Sequence, residues 1–155
     1  IDESDKFYIL DRGTGYIIKL GENLEIEKIY KVEKEDFTGF CDFKLKKDGI
    51  WALEPLKKRV FQISCEGEIL KEIRLKNKLD FPTSIEVDSA GSIYILDRHK
   101  GEIAVFDALG NFKYSFLRWG SARGELYYPN QILFDDLGRL LVVDEGNGRV
   151  IILSK

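Results

Sequence analysis

The sequence predicts an all-β chain made of four copies of one unit, each about forty residues long and folded as a four-stranded antiparallel sheet. Three observations predict this fold. An acidic residue closes a short apolar run four times, at intervals of 43, 43 and 47 residues. An aliphatic residue always follows six positions later. Gly, Asp or Ser interrupts the chain about every ten residues, and β-branched residues dominate between the breaks, a pattern typical of strands and tight turns. The acids are Asp11, Glu54, Asp97 and Asp144, and the aliphatic residues are Ile17, Val60, Ile103 and Val150.

The third copy shows the unit most completely. It begins at Phe81-Pro82, and its predicted strands are the alternating segment around Ile85 and the runs 93–97, 103–106 and 112–116. The second copy starts near Phe40 and contains the same four strands in the same order. These two copies are therefore predicted to be complete.

The two outer copies are incomplete. The first opens in mid-repeat, because 7–11 matches 93–97 without a gap and only six residues precede it. The fourth stops after its third strand, at 150–153. The copies are thus expected to contribute three, four, four and three strands. The segment 32–37 is the one plausible helix, and its charged composition favours a loop.

A sheet of this kind has two apolar faces, and it buries both only when similar sheets stack on either side, as blades do around an axis. We therefore predict one β-propeller segment over residues 1–155, an arc of about four blades with two incomplete terminal blades. The blades are expected at about 5–32, 39–76, 81–117 and 128–155. Because exposed sheet edges tend to pair, the arc is expected to belong to a longer propeller or to associate with another chain.

Two stretches resemble the NHL repeat of six-bladed, TolB-like β-propellers. The first consists of Pro129, Ile132, Asp136-Leu137-Gly138, Leu141-Val142-Val143-Asp144 and Asn147-Gly148-Arg149-Val150-Ile151. The second, Trp119-Gly120-Ser121 with Gly124-Glu125, is similar to the glycine-rich entry loop of that repeat. The resemblance covers nearly the whole chain and is weakest in the second copy, where Phe40 replaces the proline. It implies a closed ring, commonly of six blades, that mostly serves as a binding platform and in a minority of members as an enzyme.

Composition and charge restrict the functions that the chain can have. The net charge of −3 argues against general binding to nucleic acid, because such modules carry a basic excess. No apolar run approaches the roughly 18 residues that cross a bilayer. Cys41 and Cys65 are expected on non-neighbouring strands of one sheet, as buried thiols without a disulfide. The absence of an initiator Met and the habits of bacterial relatives favour an extracytoplasmic location.

The four recurring acids are expected to have a structural role. A carboxylate at a strand end can accept backbone N–H bonds from the following turn and pair with a nearby Arg, here Arg59 and Arg149, five residues further on. The alternative is a ring of metal-binding carboxylates near the axis. His99 is the only histidine, whereas zinc enzymes usually use two or three. No nucleophile elbow, Cys-x-x-Cys pair or phosphate-binding loop is present, so no catalytic residue, metal or cofactor is predicted.

Cations and aromatic residues gather in loops that are expected to open on one face. These are the loops joining second to third strands and the links between successive blades. Aromatic and Arg side chains are enriched at binding hot spots, and loops on a rigid scaffold commonly carry function. The predicted partner-binding residues are Arg12, Lys57, Lys58, Arg98, His99, Lys100, Trp119, Arg123, Tyr127 and Tyr128. The alternative is that the aromatic residues pack between blades and the cations are only solvated.

Two functions are consistent with these observations. The first is a non-enzymatic binding scaffold that engages a protein, a peptide or an anionic glycan through its loops. The second is a metal-dependent hydrolase or lyase of the propeller type, whose ligands lie mostly in blades outside this segment. RNA binding, known for some animal relatives of the family, is disfavoured by the acidic balance.

Overall fold

The computed structural model describes residues 2, 5–76 and 79–154. Over these residues the structure is all-β, and its single helical element is a 3-10 turn at Glu145–Asn147. The segment 32–37 is a loop, as predicted. The chain divides into two compact units, Ile1–Glu72 and Ile73–Lys155. The described residues contain no helix with the length and apolarity needed to cross a membrane.

The first unit contains one three-stranded sheet and most of a four-stranded sheet. Blade 1 has the strand order β1 (Tyr8–Asp11), β2 (Tyr16–Leu20) and β3 (Ile26–Tyr30). Blade 2 has the order β4 (Asp42–Lys46), β5 (Gly49–Glu54), β6 (Arg59–Ile63) and β7 (Ile69–Arg74), and β7 crosses the boundary between the units. Consecutive strands pair with their neighbours in sequence, so each sheet is a simple up-and-down meander.

The second unit repeats this arrangement. Blade 3 consists of β8 (Pro82–Val87), β9 (Ile93–Asp97), β10 (Glu102–Phe106) and β11 (Phe112–Phe116). A two-stranded parallel sheet comes next, formed by β12 (Arg118–Trp119) and β13 (Glu125–Leu126). Blade 4 consists of β14 (Gln131–Phe134), β15 (Leu140–Asp144) and β16 (Arg149–Leu153). The predicted three, four, four and three strands are confirmed over the described residues, whereas the small parallel sheet was not predicted.

One strand register explains the periodic acid and the aliphatic residue that comes after it. In every blade the acid is the last residue of the strand that is second in the predicted repeat, namely β1, β5, β9 or β15. The aliphatic residue lies in the next strand, opposite the residue that precedes the acid. The four facing pairs are Leu10–Ile17, Leu53–Val60, Leu96–Ile103 and Val143–Val150. Because the connecting loop always has the same length, the spacing of six is a property of the hairpin.

Each unit has its own apolar core. In the first, the buried side chains include Ile17, Tyr30 and Phe61. In the second, they include Leu96 and Val142. All residues of β5, β6 and β9 are buried, so these strands are covered on both faces. Fully burying one such aliphatic or aromatic side chain contributes about 1.5–3 kcal/mol, which makes the faces of the sheets the main source of stability.

Within the second unit, side chains of β8 bind the backbone of β14. The Ser84 hydroxyl accepts the Ile132 N–H at 3.1 Å, and the Glu86 carboxylate accepts the Phe134 N–H at 3.0 Å. Ser84 and Glu86 are both buried. These bonds satisfy N–H groups at the edge of blade 4, where an unpaired backbone donor would otherwise be costly.

Hairpin turns of the second unit share an Asp at their first position. The Asp107 carboxylate accepts the N–H groups of Leu109 and Asn111, both at 2.9 Å, and the Asn111 side-chain amide at 2.8 Å. These bonds hold the pKa of Asp107 below its usual range, with the Asn111 side chain as the largest cause. Asp135 makes the same pair of backbone bonds in blade 4. A carboxylate thus replaces part of the backbone bonding that a tight turn leaves unmade.

The cysteine prediction is wrong in part. Both residues are thiols, but Cys65 lies in the turn after β6 and is exposed, whereas Cys41 is partly buried just before β4. Burial raises the pKa of the Cys41 thiol to about 12. The sequence placed Cys65 on a strand because Phe61, Ile63 and Cys65 continue one apolar alternation to two residues beyond the end of β6.

Candidate functional site

In blades 2, 3 and 4 the recurring acid binds the link that precedes its blade. Asp97 is fully buried, and its carboxylate accepts the N–H groups of Asp80, Phe81 and Lys100 at 2.6, 3.1 and 3.2 Å. The first two donors lie in the link before blade 3, and the third lies in the loop between β9 and β10. One carboxylate therefore fixes both segments of backbone, which carry Phe81, Arg98 and His99.

Asp144 and Glu54 make equivalent ties and each adds an arginine. Asp144 accepts the Tyr127 N–H at 2.7 Å and the Arg149 Nε–H at 2.8 Å. Glu54 accepts the N–H of Thr38 at 2.7 Å, and its two oxygens accept Nε–H and Nη2–H of Arg59. Charge-assisted bonds of this kind are short and strong, so they hold the loop bases firmly.

Arg59 lies at the centre of an acidic cluster in the first unit. Its Nη1 atom lies 3.1 Å from a Glu72 oxygen and 3.2 Å from an Asp36 oxygen, in addition to the bonds with Glu54. These carboxylates, led by Glu54, raise the pKa of the guanidinium. In blade 1, Asp11 bonds its own turn, through the Gly13 N–H and the Thr14 hydroxyl, both at 2.8 Å. The hydroxyl of Thr14 is the main reason why the pKa of Asp11 is lowered.

Three aromatic side chains of the second unit form one exposed cluster, which we call the aromatic rim. Trp119, Tyr127 and Tyr128 meet edge to face, with ring centroids 4.6–5.0 Å apart. Between 39% and 40% of each residue remains exposed to solvent. Aromatic pairs in this geometry gain about 0.5–1.5 kcal/mol beyond their buried area, so the three rings stabilise one another's positions.

A glycine in the neighbouring loop makes room for the aromatic rim. Gly101 has a φ of +61°, and a Cβ on it would lie 2.7 Å from both the Leu126 carbonyl oxygen and the Trp119 Cα. The small parallel sheet of β12 and β13 therefore packs directly against the backbone of the β9–β10 loop. No side chain fits between them, so the position of Trp119 depends on this close approach.

Arg98 connects the aromatic rim to blade 4. Its guanidinium lies 5.6 Å from the centroid of the Tyr128 ring, and Nη1 donates to the Pro129 carbonyl oxygen at 3.2 Å. The same nitrogen lies 2.7 Å from a carboxylate oxygen of Glu145. Stacking on a ring and pairing with a carboxylate restrict the side chain, and Glu145 offsets its charge.

His99 forms a second exposed contact beside Arg98. Its ring stacks on Phe81 with centroids 4.7 Å apart and an interplanar angle of 16°. Its Nδ1 atom lies 3.4 Å from an Asp80 oxygen, and both side chains are about half exposed. The Lys100 ammonium lies 3.4 Å from Glu102, and Arg123 is exposed in the loop between β12 and β13.

The other predicted cations belong to the first unit. Arg12 and Lys57 are exposed in the β1–β2 and β5–β6 loops, and Lys58 is half-buried with a φ of +53°. The structure thus brings Arg98, Trp119, Tyr127 and Tyr128 together within the second unit. A single rim that extends over three blades stays a prediction.

Several residues of the site were not among the predicted site residues. Glu145 and Asp80 supply the carboxylates beside Arg98 and His99, and the Asn147 amide donates to Asp144 and to the Gly120 carbonyl at 2.8 and 3.1 Å. Asn147 could have been found from its position three residues after the recurring acid. Within residues 2, 5–76 and 79–154, no group of three or more His, Cys, Asp or Glu side chains could hold a metal ion.

The meandering four-stranded sheets and the acid that recurs at the end of one strand in each blade define the class of the fold, a β-propeller segment. Solved structures place the chain in that class. A streptogramin B lyase structure matches with a TM-score of 0.73 and 19% identity, over 99% of this chain and 49% of the lyase. A catalytically inactive variant of virginiamycin B lyase from Staphylococcus aureus, solved with quinupristin, matches with 0.72 and 18%, over 100% of this chain and 50% of that one.

A glutaminyl cyclase from Myxococcus xanthus matches with a TM-score of 0.66 and 11% identity, over 99% of this chain and 72% of the cyclase. At these identities the likeness shows the fold alone. The chain spans about half the length of the two lyases. No protein-family model matches the sequence, and no curated protein is significantly similar to it.

Proposed function

We propose that this chain is a binding module of an NHL-type propeller, and that its aromatic rim engages a protein or peptide partner. The observation that carries the proposal is the cluster of Trp119, Tyr127 and Tyr128, which stays about two-fifths exposed although its rings are held edge to face. Trp, Tyr and Arg are the residues most enriched at binding hot spots. Ordered rings also lose little conformational entropy on binding.

The charges around the aromatic rim favour a peptide over a polyanion. Glu145 and Asp80 lie beside Arg98 and His99, so much of the positive charge predicted for this loop is already offset. The net charge of the chain is −3. Apolar side chains of a partner would pack on the three rings, and its polar groups would form hydrogen bonds with the polar side chains around them. Interfaces usually have such an apolar centre with a polar periphery. An anionic glycan is a weaker fit for the same reason.

The experiment selects peptides from a displayed random library on the wild-type chain and measures their affinities by calorimetry. We expect to select peptides with dissociation constants in the micromolar range. Trp119→Ala or Tyr128→Ala should weaken their binding at least about tenfold, because truncating a hot-spot side chain costs about 1.4 kcal/mol of binding free energy or more. Leu137→Ala, at a residue that is 76% exposed in a turn of blade 4, is the matched control and should change affinity less than twofold. Peptides whose affinities are unchanged by both Trp119→Ala and Tyr128→Ala would refute the proposal.

A propeller-type hydrolase or lyase is the second candidate, because a streptogramin B lyase and a glutaminyl cyclase are among the similar solved structures. In this case the aromatic rim would hold a small substrate, and the residues that bind the metal ion would lie mostly outside the described residues. Elemental analysis and a chelator titration of the melting temperature distinguish the candidates. Stoichiometric metal, with a melting temperature that falls on chelation, supports the enzyme; an unchanged melting temperature without metal supports the binding module.

A further inference from the structure

The aromatic rim carries hydrogen-bond donors that the rest of the described chain does not use. Among residues 2, 5–76 and 79–154, no group accepts a hydrogen bond from the Trp119 indole N–H or from the hydroxyls of Tyr127 and Tyr128. Trp51, by contrast, donates its indole N–H to an Asp48 oxygen at 3.0 Å. The rim therefore offers three polar donors beside its three rings, a combination that is enriched at interfaces.

The backbone acceptors around the aromatic rim are already in use. Side chains of Arg98, Asn147 and Arg149 donate to some carbonyl oxygens of this stretch, and backbone N–H groups donate to others. The carbonyl oxygens that accept these bonds belong to Gly120, Ala122, Glu125, Leu126, Tyr127 and Pro129. A ligand of the rim thus meets unused side-chain donors, whereas the neighbouring backbone acceptors are occupied.

The three rings do not form a flat platform. Their planes are inclined to one another by 67°, 83° and 62°, so the face of one ring lies beside the edge of another. A flat ligand surface, such as one face of a sugar ring, would contact these rings only one at a time. A small puckered ring, such as the pyrrolidine of proline, fits into the angle between a face and an edge.

The backbone fixes the positions of both tyrosines. Tyr127 donates its N–H to Asp144 at 2.7 Å, and its carbonyl oxygen accepts the Gly146 N–H at 2.8 Å. A Cβ on Gly146 would lie 2.6 Å from Cδ1 of Tyr127, so the ring rests directly on this glycine. Tyr128 has a φ of +46°, a conformation that residues other than glycine rarely adopt and that is concentrated at functional sites such as ligand clamps.

We propose that the aromatic rim recognises a proline-rich segment of its partner in the polyproline II conformation, an inference that rests on the proposed binding function. Proline has no N–H, so such a segment brings carbonyl acceptors and hardly any donors. Its carbonyl groups make no internal hydrogen bonds and can accept from Trp119, Tyr127 and Tyr128. Its pyrrolidine rings pack between the aromatic rings, as in other aromatic-lined grooves that bind proline-rich peptides.

Other peptide conformations match the aromatic rim less well. A helical partner uses its own carbonyl groups in internal bonds and would leave the three donors unmatched. An added β-strand would need backbone acceptors that this stretch has already used, and β12 and β13 contain only two residues each. A polyproline II segment is extended before it binds, so it loses little conformational entropy.

The test titrates acetyl-decaproline-amide into the isotope-labelled chain and follows the two indole N–H signals by NMR, with Trp119→Phe to assign them. We expect the Trp119 signal to shift and saturate with a Kd between about 20 and 500 μM. The Trp51 signal is the internal control. It should not move, because Trp51 is 3% exposed and bonded to Asp48.

Matched variants test the use of the hydroxyl donors. Tyr127→Phe and Tyr128→Phe keep the rings and remove one donor each, and the double variant should weaken decaproline at least about fivefold. Tyr114→Phe removes the hydroxyl of an exposed tyrosine on β11, outside the aromatic rim, and should change the Kd less than about 1.5-fold.

Matched peptides test the conformation of the ligand. Decaproline made of D-proline has the same composition in the mirror-image helix, and it should bind at least about tenfold more weakly. Replacing the two central prolines of the L-peptide by glycine should weaken it about fivefold, because glycine adds conformational freedom that binding must remove.

Three results would overturn the inference. The first is equal binding of the D- and L-peptides, and the second is an unchanged Kd in the double Tyr→Phe variant. The third is no shift of the Trp119 signal at about 2 mM L-peptide. A Trp119 shift with maltoheptaose in its place would then assign the rim to a neutral glycan. If displayed peptides still lose affinity on Trp119→Ala while decaproline fails, the proposed function stands and only the proline-rich partner is refuted.

Discussion

Removing the guanidinium of Arg59 tests how much the buried ion pair between Arg59 and Glu54 contributes to the free energy of unfolding. Arg59 is 2% exposed and Glu54 is 0% exposed. Arg59→Met keeps the aliphatic stem but leaves a buried carboxylate whose remaining described donors are the N–H and hydroxyl of Thr38. Breaking a buried ion pair from one side costs about 3–5 kcal/mol. The stacking of the guanidinium 5.4 Å from the Phe61 ring adds about 0.5–1 kcal/mol. We therefore expect a loss of about 4 kcal/mol.

Arg149→Met is the matched control, because Arg149 occupies the same repeat position and pairs with Asp144 at 2.8 Å. Its side chain is 35% exposed, against 2% for Arg59. Water can therefore replace part of the lost bonding, and we expect a loss of only about 1–2 kcal/mol. The difference between the two variants reports the effect of burial together with the additional contacts that Arg59 makes with Glu72, Asp36 and Phe61.

The assay is urea unfolding followed by tryptophan fluorescence. The chain has two tryptophans, Trp51 in the first unit and Trp119 in the second. In the Trp119→Phe background the remaining Trp51 reports unfolding of the first unit, which contains Arg59. In the Trp51→Phe background the remaining Trp119 reports unfolding of the second unit, which contains Arg149. A cost for Arg59→Met below about 1 kcal/mol, or equal costs for the two variants, would refute the argument from burial.

Three further predictions concern single residues. Cys65 should react with a thiol reagent at least about 100-fold faster than Cys41 at pH 8, because Cys41 has its pKa raised to about 12 and is partly buried; equal rates would contradict this. Gly101→Ala should lower the unfolding free energy by about 2–4 kcal/mol, since its Cβ would meet the backbone of β12 and β13; a change below about 0.5 kcal/mol in urea would contradict it. Asp107→Ala should destabilise the chain at pH 7 and have a smaller effect at pH 3. The pKa of Asp107 is lowered on folding, so its contribution is complete above the unfolded value of about 4 and disappears as the pH falls through the folded value. Melting temperatures of both forms at the two pH values check this, and an undiminished difference at low pH would oppose it.

The fold could be predicted because its strongest signal is local. The distance from Asp97 to Ile103 is set by one hairpin, and the same hairpin occurs in every blade. Such a signal survives even in blade 2, where Glu54 and Pro55 replace the usual Asp and loop residue. The pair β12–β13 gave no comparable signal, because two residues on each strand are too few to show alternation.

The candidate site could be predicted only in part. Trp119, Tyr127 and Tyr128 lie in one link between blades, so their proximity is visible in the sequence. The offset of positive charge in the β9–β10 loop was not visible in the sequence, because Glu145, which pairs with Arg98, lies 47 residues further on. Contacts of that range depend on how one blade packs on the next. A cation in a sequence therefore does not predict a positive surface.

The carboxylates that close the strands also have a consequence for redesign. Asp97 holds the β9–β10 loop through the Lys100 N–H and the link before blade 3 through the Asp80 and Phe81 N–H groups, and every residue except proline possesses such a donor. Side chains at the tip of such a loop can be exchanged without touching the anchor. New recognition residues could be grafted there at little cost to the scaffold, provided that the acid and the loop length are kept.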